Sequence, residues 1–229
     1  MSVQKERNNE NTKSPDRLRR GIKNDRVYRI LLCNVEGKLT KYRIAKLAQA
    51  QQIQVSLLLR GLEKSHLASG TSVIDHKGLL ERWSRLRIKC QSQSYMLRDP
   101  LKVLRSTKLE YGLTTYLAES MVNGYLFPSR TEFYIHPDDF DYWHALFVKE
   151  GALVGGGNVR LRWYDDQVLY GSFSADGYRV VAIPQLIVDL LREGSSAVEA
   201  AELMMEKYSE LLRLNELHLL NSKTETTPG

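Results

Sequence analysis

Hydrophobic positions in the first third of the chain recur with a helical period. Val27, Ile30, Leu31 and Val35 fall at i, i+3 and i+4 intervals, which predicts a helix from Asn24 with one buried stripe. Glu36-Gly37 ends it, because glycine accepts the left-handed conformation that closes a helix. Thr40 stands as N-cap of a second helix whose Ile44, Leu47 and Ala48 face inward. After a short turn through Gln49-Ala50-Gln51, Val55, Leu58, Leu59 and Leu62 make the stripe of a third. His66-Leu67-Ala68 and Ser72-Val73-Ile74 then flank Ser69-Gly70-Thr71, the pattern of a β-hairpin. Three short helices, a tight turn between the last two and a following hairpin predict a winged helix-turn-helix over residues 23–76.

Beyond it the period keeps changing. Leu79, Leu80 and Trp83 predict a connector helix opening a linking segment, residues 77–108, in which residues 91–97 alternate like a strand and Asp99-Pro100 caps another helix. A second domain is expected over residues 109–220. It begins with a helix over 111–122, followed by a strand at 132–135. Pro137 starts a helix carrying Phe140, Trp143, Leu146 and Phe147. Strands at 159–163 and 178–182, a helix from Pro184 and a terminal helix from Ala197 complete it. Helices interleaved with strands predict a small mixed α/β layer, so the chain as a whole is α+β. Leu203, Met204, Tyr208, Leu211, Leu212 and Leu214 stripe the terminal helix. That stripe either packs on its own domain or makes a homodimer, and both remain open.

Charge sharpens this division. The 229 residues carry a net +6, but residues 1–108 hold +15 and residues 109–229 hold −9. A basic half neutralises phosphates and releases counterions, so double-stranded DNA is the expected partner. Residues 1–22 are almost devoid of large apolar side chains and predict a disordered basic arm. Arg17, Arg19, Arg20 and Lys23 close that arm, placed to lie along phosphates or enter a minor groove. Residues 221–229 predict a disordered tail. Nothing approaches the ~18 consecutive apolar residues of a membrane span, and no apolar secretion segment opens the chain, so a cytoplasmic location is expected. Cys33 and Cys90 fit neither a disulfide framework nor a cysteine metal site.

The side chains expected on DNA follow from the proposed scaffold. Gln51, Gln52, Gln54, Ser56 and Arg60 lie off the buried stripe of the third helix or at its start, with Lys64 at its end. Glutamine pairs with adenine, arginine with guanine, and serine with base or phosphate. Lys41 and Arg43 open the second helix and suit phosphates, while Thr71 sits at the hairpin tip. Leu57 also falls on the outer side, with no role assigned.

Catalytic patterns are weak. His136, Asp138, Asp139, Asp141 and His144 resemble a metal cluster, but their acids sit in a first helical turn, where they complement the dipole. Gly155-Gly156-Gly157 precedes a strand and reads as a helix-to-strand turn, not a phosphate loop. Gly171-Ser172 lacks the paired carboxylates of a nucleotidyltransferase motif. A metal-dependent nuclease using Asp165, Asp166 or Glu132 is the enzyme alternative. A winged helix used as a protein-interaction module is another. No catalytic residue, metal or cofactor is expected.

Several short stretches resemble the AbiEi-type antitoxins of type IV toxin–antitoxin systems. They are Gly78-Leu79-Leu80-Glu81-Arg82-Trp83, Tyr111-Gly112-Leu113-Thr114-Thr115, Gly157-Asn158-Val159, Pro184-Gln185-Leu186-Ile187-Val188-Asp189-Leu190-Leu191 and Val198-Glu199-Ala200-Ala201-Glu202-Leu203. The resemblance implies a winged-helix domain joined to a domain distantly similar to restriction-endonuclease folds without their active site. It implies repression of the protein's own operon and opposition to a nucleotidyltransferase-type toxin. It also implies DNA contacts from both domains, for which Arg130, Arg160 and Arg162 are the candidates in the second.

Overall fold

A computed structural model describes residues 15–128, 130–208 and 210–211. It opens with α1 (Pro15–Cys33), so residues 15–22, expected in a disordered arm, belong to a helix. Proline pre-sets the first helical turn, and the Arg/Leu run after it propagates helix well. Residues 1–14 and 212–229, which include the rest of the arm, Leu212, Leu214 and the tail, lie outside the described residues, as do the side chains of Arg17, Arg19 and Arg20.

Next come α2 (Lys41–Leu47), α3 (Gln52–Lys64) and a hairpin of β1 (Ala68–Ser69) and β2 (Ser72–Val73). Ala68 pairs with Val73 and Ser69 with Ser72. The tip turns at Gly70, whose φ of 60° lies in the left-handed region where glycine costs least.

α4 (His76–Ser84) leads to β3 (Gln91–Met96) and α5 (Pro100–Ser106), capped by Asp99 as expected. β4 (Tyr111–Thr114) and α6 (Thr115–Val122) replace the helix expected over 111–122. The strand is buried on both faces, so it shows no alternation, and Thr115 at φ 54° breaks it into the helix. β5 (Thr131–Ile135), α7 (Phe140–Lys149), β6 (Leu153–Val154) and β7 (Val159–Trp163) follow. The triple glycine therefore joins β6 to β7 and is not a helix-to-strand turn. A Cβ on Gly157 would stand 2.2 Å from the Tyr95 carbonyl oxygen, so the turn's backbone presses against β3. Last come β8 (Phe173–Ala175), β9 (Tyr178–Val180), α8 (Ile183–Glu193) and α9 (Ser196–Glu206).

Seven strands form one mixed sheet in the order β6-β3-β7-β5-β4-β9-β8. β5 runs parallel to β7 and β4 parallel to β9, and the other pairs are antiparallel. β3, from the segment expected to be a linker, is an interior strand. Alternation along β5 assigns the faces. Phe133 meets Trp143 and Phe147 of α7, whereas the Tyr134 hydroxyl on the opposite face donates to Asp189 of α8 at 3.1 Å. Residues 183–190 of α8 are all buried, which makes it the central helix. One apolar core runs from Val27 in α1 to Leu211, and the Tyr208 hydroxyl donates to the Leu32 carbonyl at 2.7 Å. The described part of the terminal stripe thus packs on its own chain. No helix among the described residues is long and apolar enough to cross a membrane.

Candidate nucleic-acid interface

The α2–α3 corner is built by local signals. Thr40 Oγ1 accepts from the Arg43 amide at 3.2 Å and starts α2. The Ala50 amide donates to the Ala45 carbonyl at 2.9 Å through a turn in which Gln49 takes φ 48°. Gln54 Oε1 accepts from the Gln51 amide at 3.4 Å, satisfying one end-group of α3. Val55, Leu59 and Leu62 then bury one side of α3.

The opposite side carries Ile53, Leu57, Arg60 and Lys64, spaced by four, three and four residues and therefore aligned in one strip. Ile53 is 64% exposed and Leu57 58%. Gln51, Gln52 and Gln54 are exposed beside the strip, and Ser56 is half-buried. Lys41, Tyr42 and Arg43 are exposed at the start of α2. No ion-pair partner is found for Lys41, Arg43, Arg60 or Lys64 among the described residues. Thr71 is committed elsewhere: its hydroxyl donates to the Gly37 carbonyl at 3.0 Å, and the neighbouring Gly70 amide donates to Glu63 at 2.9 Å. These bonds tie the hairpin to the α1–α2 loop and to α3. Ile53 was not among the expected site residues, although its spacing to Leu57 and Arg60 is visible in the sequence.

In the second half, Arg130, Arg160 and Arg162 are paired with acids. Glu132 lies 3.1 Å from Arg130, 3.4 Å from Arg160 and 3.4 Å from Arg162, and Glu193 lies 3.3 Å from Arg162. Burial nonetheless pushes the Glu132 carboxyl up, against the pull of Arg162 and Arg160. The arginines expected on DNA from this half are thus engaged with acids of the same half.

Arg26 and Arg29 of α1 form a third arrangement. Arg26 forks onto Asp165, with Nε to Oδ2 at 2.8 Å, and reaches Asp166 at 2.9 Å and Gln49 Oε1 at 2.6 Å. Arg29 donates to Asp25 at 2.5 Å, to Tyr164 at 2.7 Å and to Gln185 at 2.8 Å. Asp25 accepts from Trp83 Nε1 at 2.6 Å, and Gln185 donates to Asp189 at 2.8 Å. This chain of buried polar groups fastens the N-terminal helices to the sheet.

Carboxylates weighed for a nuclease are therefore held by arginines: Asp165 and Asp166 by Arg26, and Glu132 by three others. Among the described residues no three His, Cys, Asp or Glu side chains are grouped to hold a metal, and His144 Nδ1 instead lies 2.9 Å from the Tyr95 hydroxyl. Burial raises the Cys33 thiol to about 12 and also raises Cys90, which keeps both protonated at neutral pH. Comparison with protein-family models, curated proteins and solved structures returns no match to this chain.

Proposed function

We propose that residues 23–76 act as a winged helix-turn-helix that binds double-stranded DNA, and that the protein is a transcriptional regulator. The observation that carries this reading is the outer strip of α3, where Ile53, Leu57, Arg60 and Lys64 stand exposed, with both cations unpaired among the described residues. A helix presenting such a strip beside a basic neighbour fits a major groove, with Lys41 and Arg43 of α2 against phosphates. Arg60 supplies a fork for guanine, Gln52 an amide for adenine, and Ile53 and Leu57 apolar contact for thymine methyls. The β1–β2 hairpin, tied to Glu63 and Gly37, is the wing.

The resemblance of short stretches to AbiEi-type antitoxins supports a narrower form of the proposal. The protein then represses its own operon and opposes a nucleotidyltransferase-type toxin. The mixed sheet serves as a non-catalytic body distantly like a restriction endonuclease. The arginine pairing of Asp165 and Glu132 supports that part.

Fluorescence anisotropy tests the core of this reading. Duplex from upstream of the protein's own gene should bind more tightly than scrambled duplex, with affinity falling steeply as salt rises. Absence of binding at low salt would exclude the DNA reading and leave the apolar strip as a protein-docking surface.

A further inference from the structure

Between α4, the following segment and the sheet lies a cleft of about 600 Å³, a volume that admits a mononucleotide. Its walls include Arg85, Arg87, Arg162, Arg192, Tyr134 and Tyr164, and among the described residues no carboxylate lines it. Both tyrosine hydroxyls are already committed, Tyr134 to Asp189 and Tyr164 to Asp25. The Ser84 hydroxyl and the Cys90 thiol already donate to backbone carbonyls, so the side-chain donors left to a ligand are guanidinium groups.

Two of those groups, Arg192 and Arg162, are held in place, and two stand at the rim. Arg192 donates through Nε to the Ser84 carbonyl and through Nη2 to the Trp83 carbonyl, each at 3.3 Å. The Arg162 guanidinium lies over the Tyr134 ring at 5.2 Å, with its Nη1 on Glu132 and Glu193. Arg85 reaches Glu81 at 3.4 Å and is otherwise exposed. Arg87 is exposed, and no ion pair is found for it among the described residues.

The balance of charge behind the walls decides what fits. Arg29, Arg85, Arg130, Arg160, Arg162 and Arg192 share five carboxylates, Asp25, Glu81, Glu132, Asp189 and Glu193, and Arg87 adds a seventh guanidinium with no ion pair among the described residues. Seven guanidiniums against five acids leave an excess of two positive charges, which a phosphate monoester dianion matches. Planar guanidinium forks suit phosphate oxygens in pairs, as a lysine ammonium does not.

We infer that this cleft binds a free phosphate ester of nucleotide size. The inference does not depend on DNA binding by α3. Calorimetric titration and thermal melting of the whole protein would test it, using AMP, ATP and inorganic pyrophosphate at constant ionic strength, with sulfate as control.

AMP or ATP should give saturable heat and raise the melting temperature, while sulfate should do neither. Changing both rim residues, Arg85→Ala and Arg87→Ala, should weaken that binding by about tenfold or more, as loss of charge-assisted hydrogen bonds predicts. Both residues are exposed, so the variant should fold, and Arg87→Lys provides a milder second reading. Lys108→Ala, exposed and outside the cleft lining, should leave the titration unchanged. No saturable heat at millimolar ligand, or equal binding by the double variant, overturns the inference. So does a double variant that loses affinity for duplex DNA when no small ligand binds, because the phosphates met there would be those of DNA.

Discussion

Lys41, Arg43, Arg60 and Lys64 on α2 and α3 are exposed and unpaired among the described residues, whereas Arg26 and Arg29 of α1 are 7% and 0% exposed and each pairs with a carboxylate. All belong to the same basic half of the chain. The difference lies in what the fold brings opposite them. α3 turns one side into the helical core and leaves the other bare. α1 is covered by the helix–sheet body, and its charges meet Asp165, Asp166 and Gln185 there. The contrast between +15 and −9 is therefore partly an internal match, in which basic α1 is joined to the acidic half, and only the remainder is available to DNA.

Breaking the buried pairing should have the largest effect. Arg26→Ala leaves Asp165, itself 4% exposed, without its fork, and stability should fall by about 3–5 kcal/mol in urea denaturation. Replacing both residues by apolar ones of similar size should recover most of that loss, because the cost lies in the stranded charge. A single variant as stable as the parent would mean that the pair does not fasten the two regions.

The exposed set should respond in binding and hardly at all in stability. Arg60→Ala should weaken binding to preferred duplex by about 1–3 kcal/mol and relax the preference at one base pair. Lys41→Ala should weaken all duplexes alike and lower the salt slope by about 0.9, the signature of one phosphate contact. Anisotropy across a salt series measures both. An Arg60 variant whose preference for its duplex is intact would remove that residue from base reading.

The two regions were also unequally legible from sequence. The Thr40 cap, the stripes of α2 and α3 and the Gly70 turn are local signals, carried by residues a few positions apart, and the expected elements there match the structure. The Arg26–Asp165 contact spans 139 positions and Arg29–Gln185 spans 156, and no spacing rule announces either. In the sequence Arg26 looked like any other cation of the basic half. β4 was taken for helix because a four-residue strand buried on both faces has no alternation to show. β6 and β8, with two and three residues at the sheet edges, are too short to carry a pattern at all. Ile53 is the reverse case. Its signal was present in the 53–57–60–64 spacing, but an apolar residue on a helix is ordinarily assigned to a core.

That apolar pair gives the smallest and most discriminating test of the exposed region. If Ile53 and Leu57 lie against thymine methyls, uracil, which lacks the methyl, should bind less well at those positions. In duplexes selected by the protein from a random pool, each such substitution should cost about 0.8 kcal/mol, roughly fourfold in affinity. Leu57→Ala should erase the distinction at its own position while leaving the salt slope unchanged, because no phosphate contact is lost. Arg60 and Lys64 share the strip, so their contribution stays constant between thymine and uracil duplexes and cancels from the comparison. If uracil is tolerated everywhere and selected duplexes still bind tightly, α3 meets DNA through its charges alone. Ile53 and Leu57 then form an apolar surface beside the DNA, which fits a protein partner or a second copy of the chain.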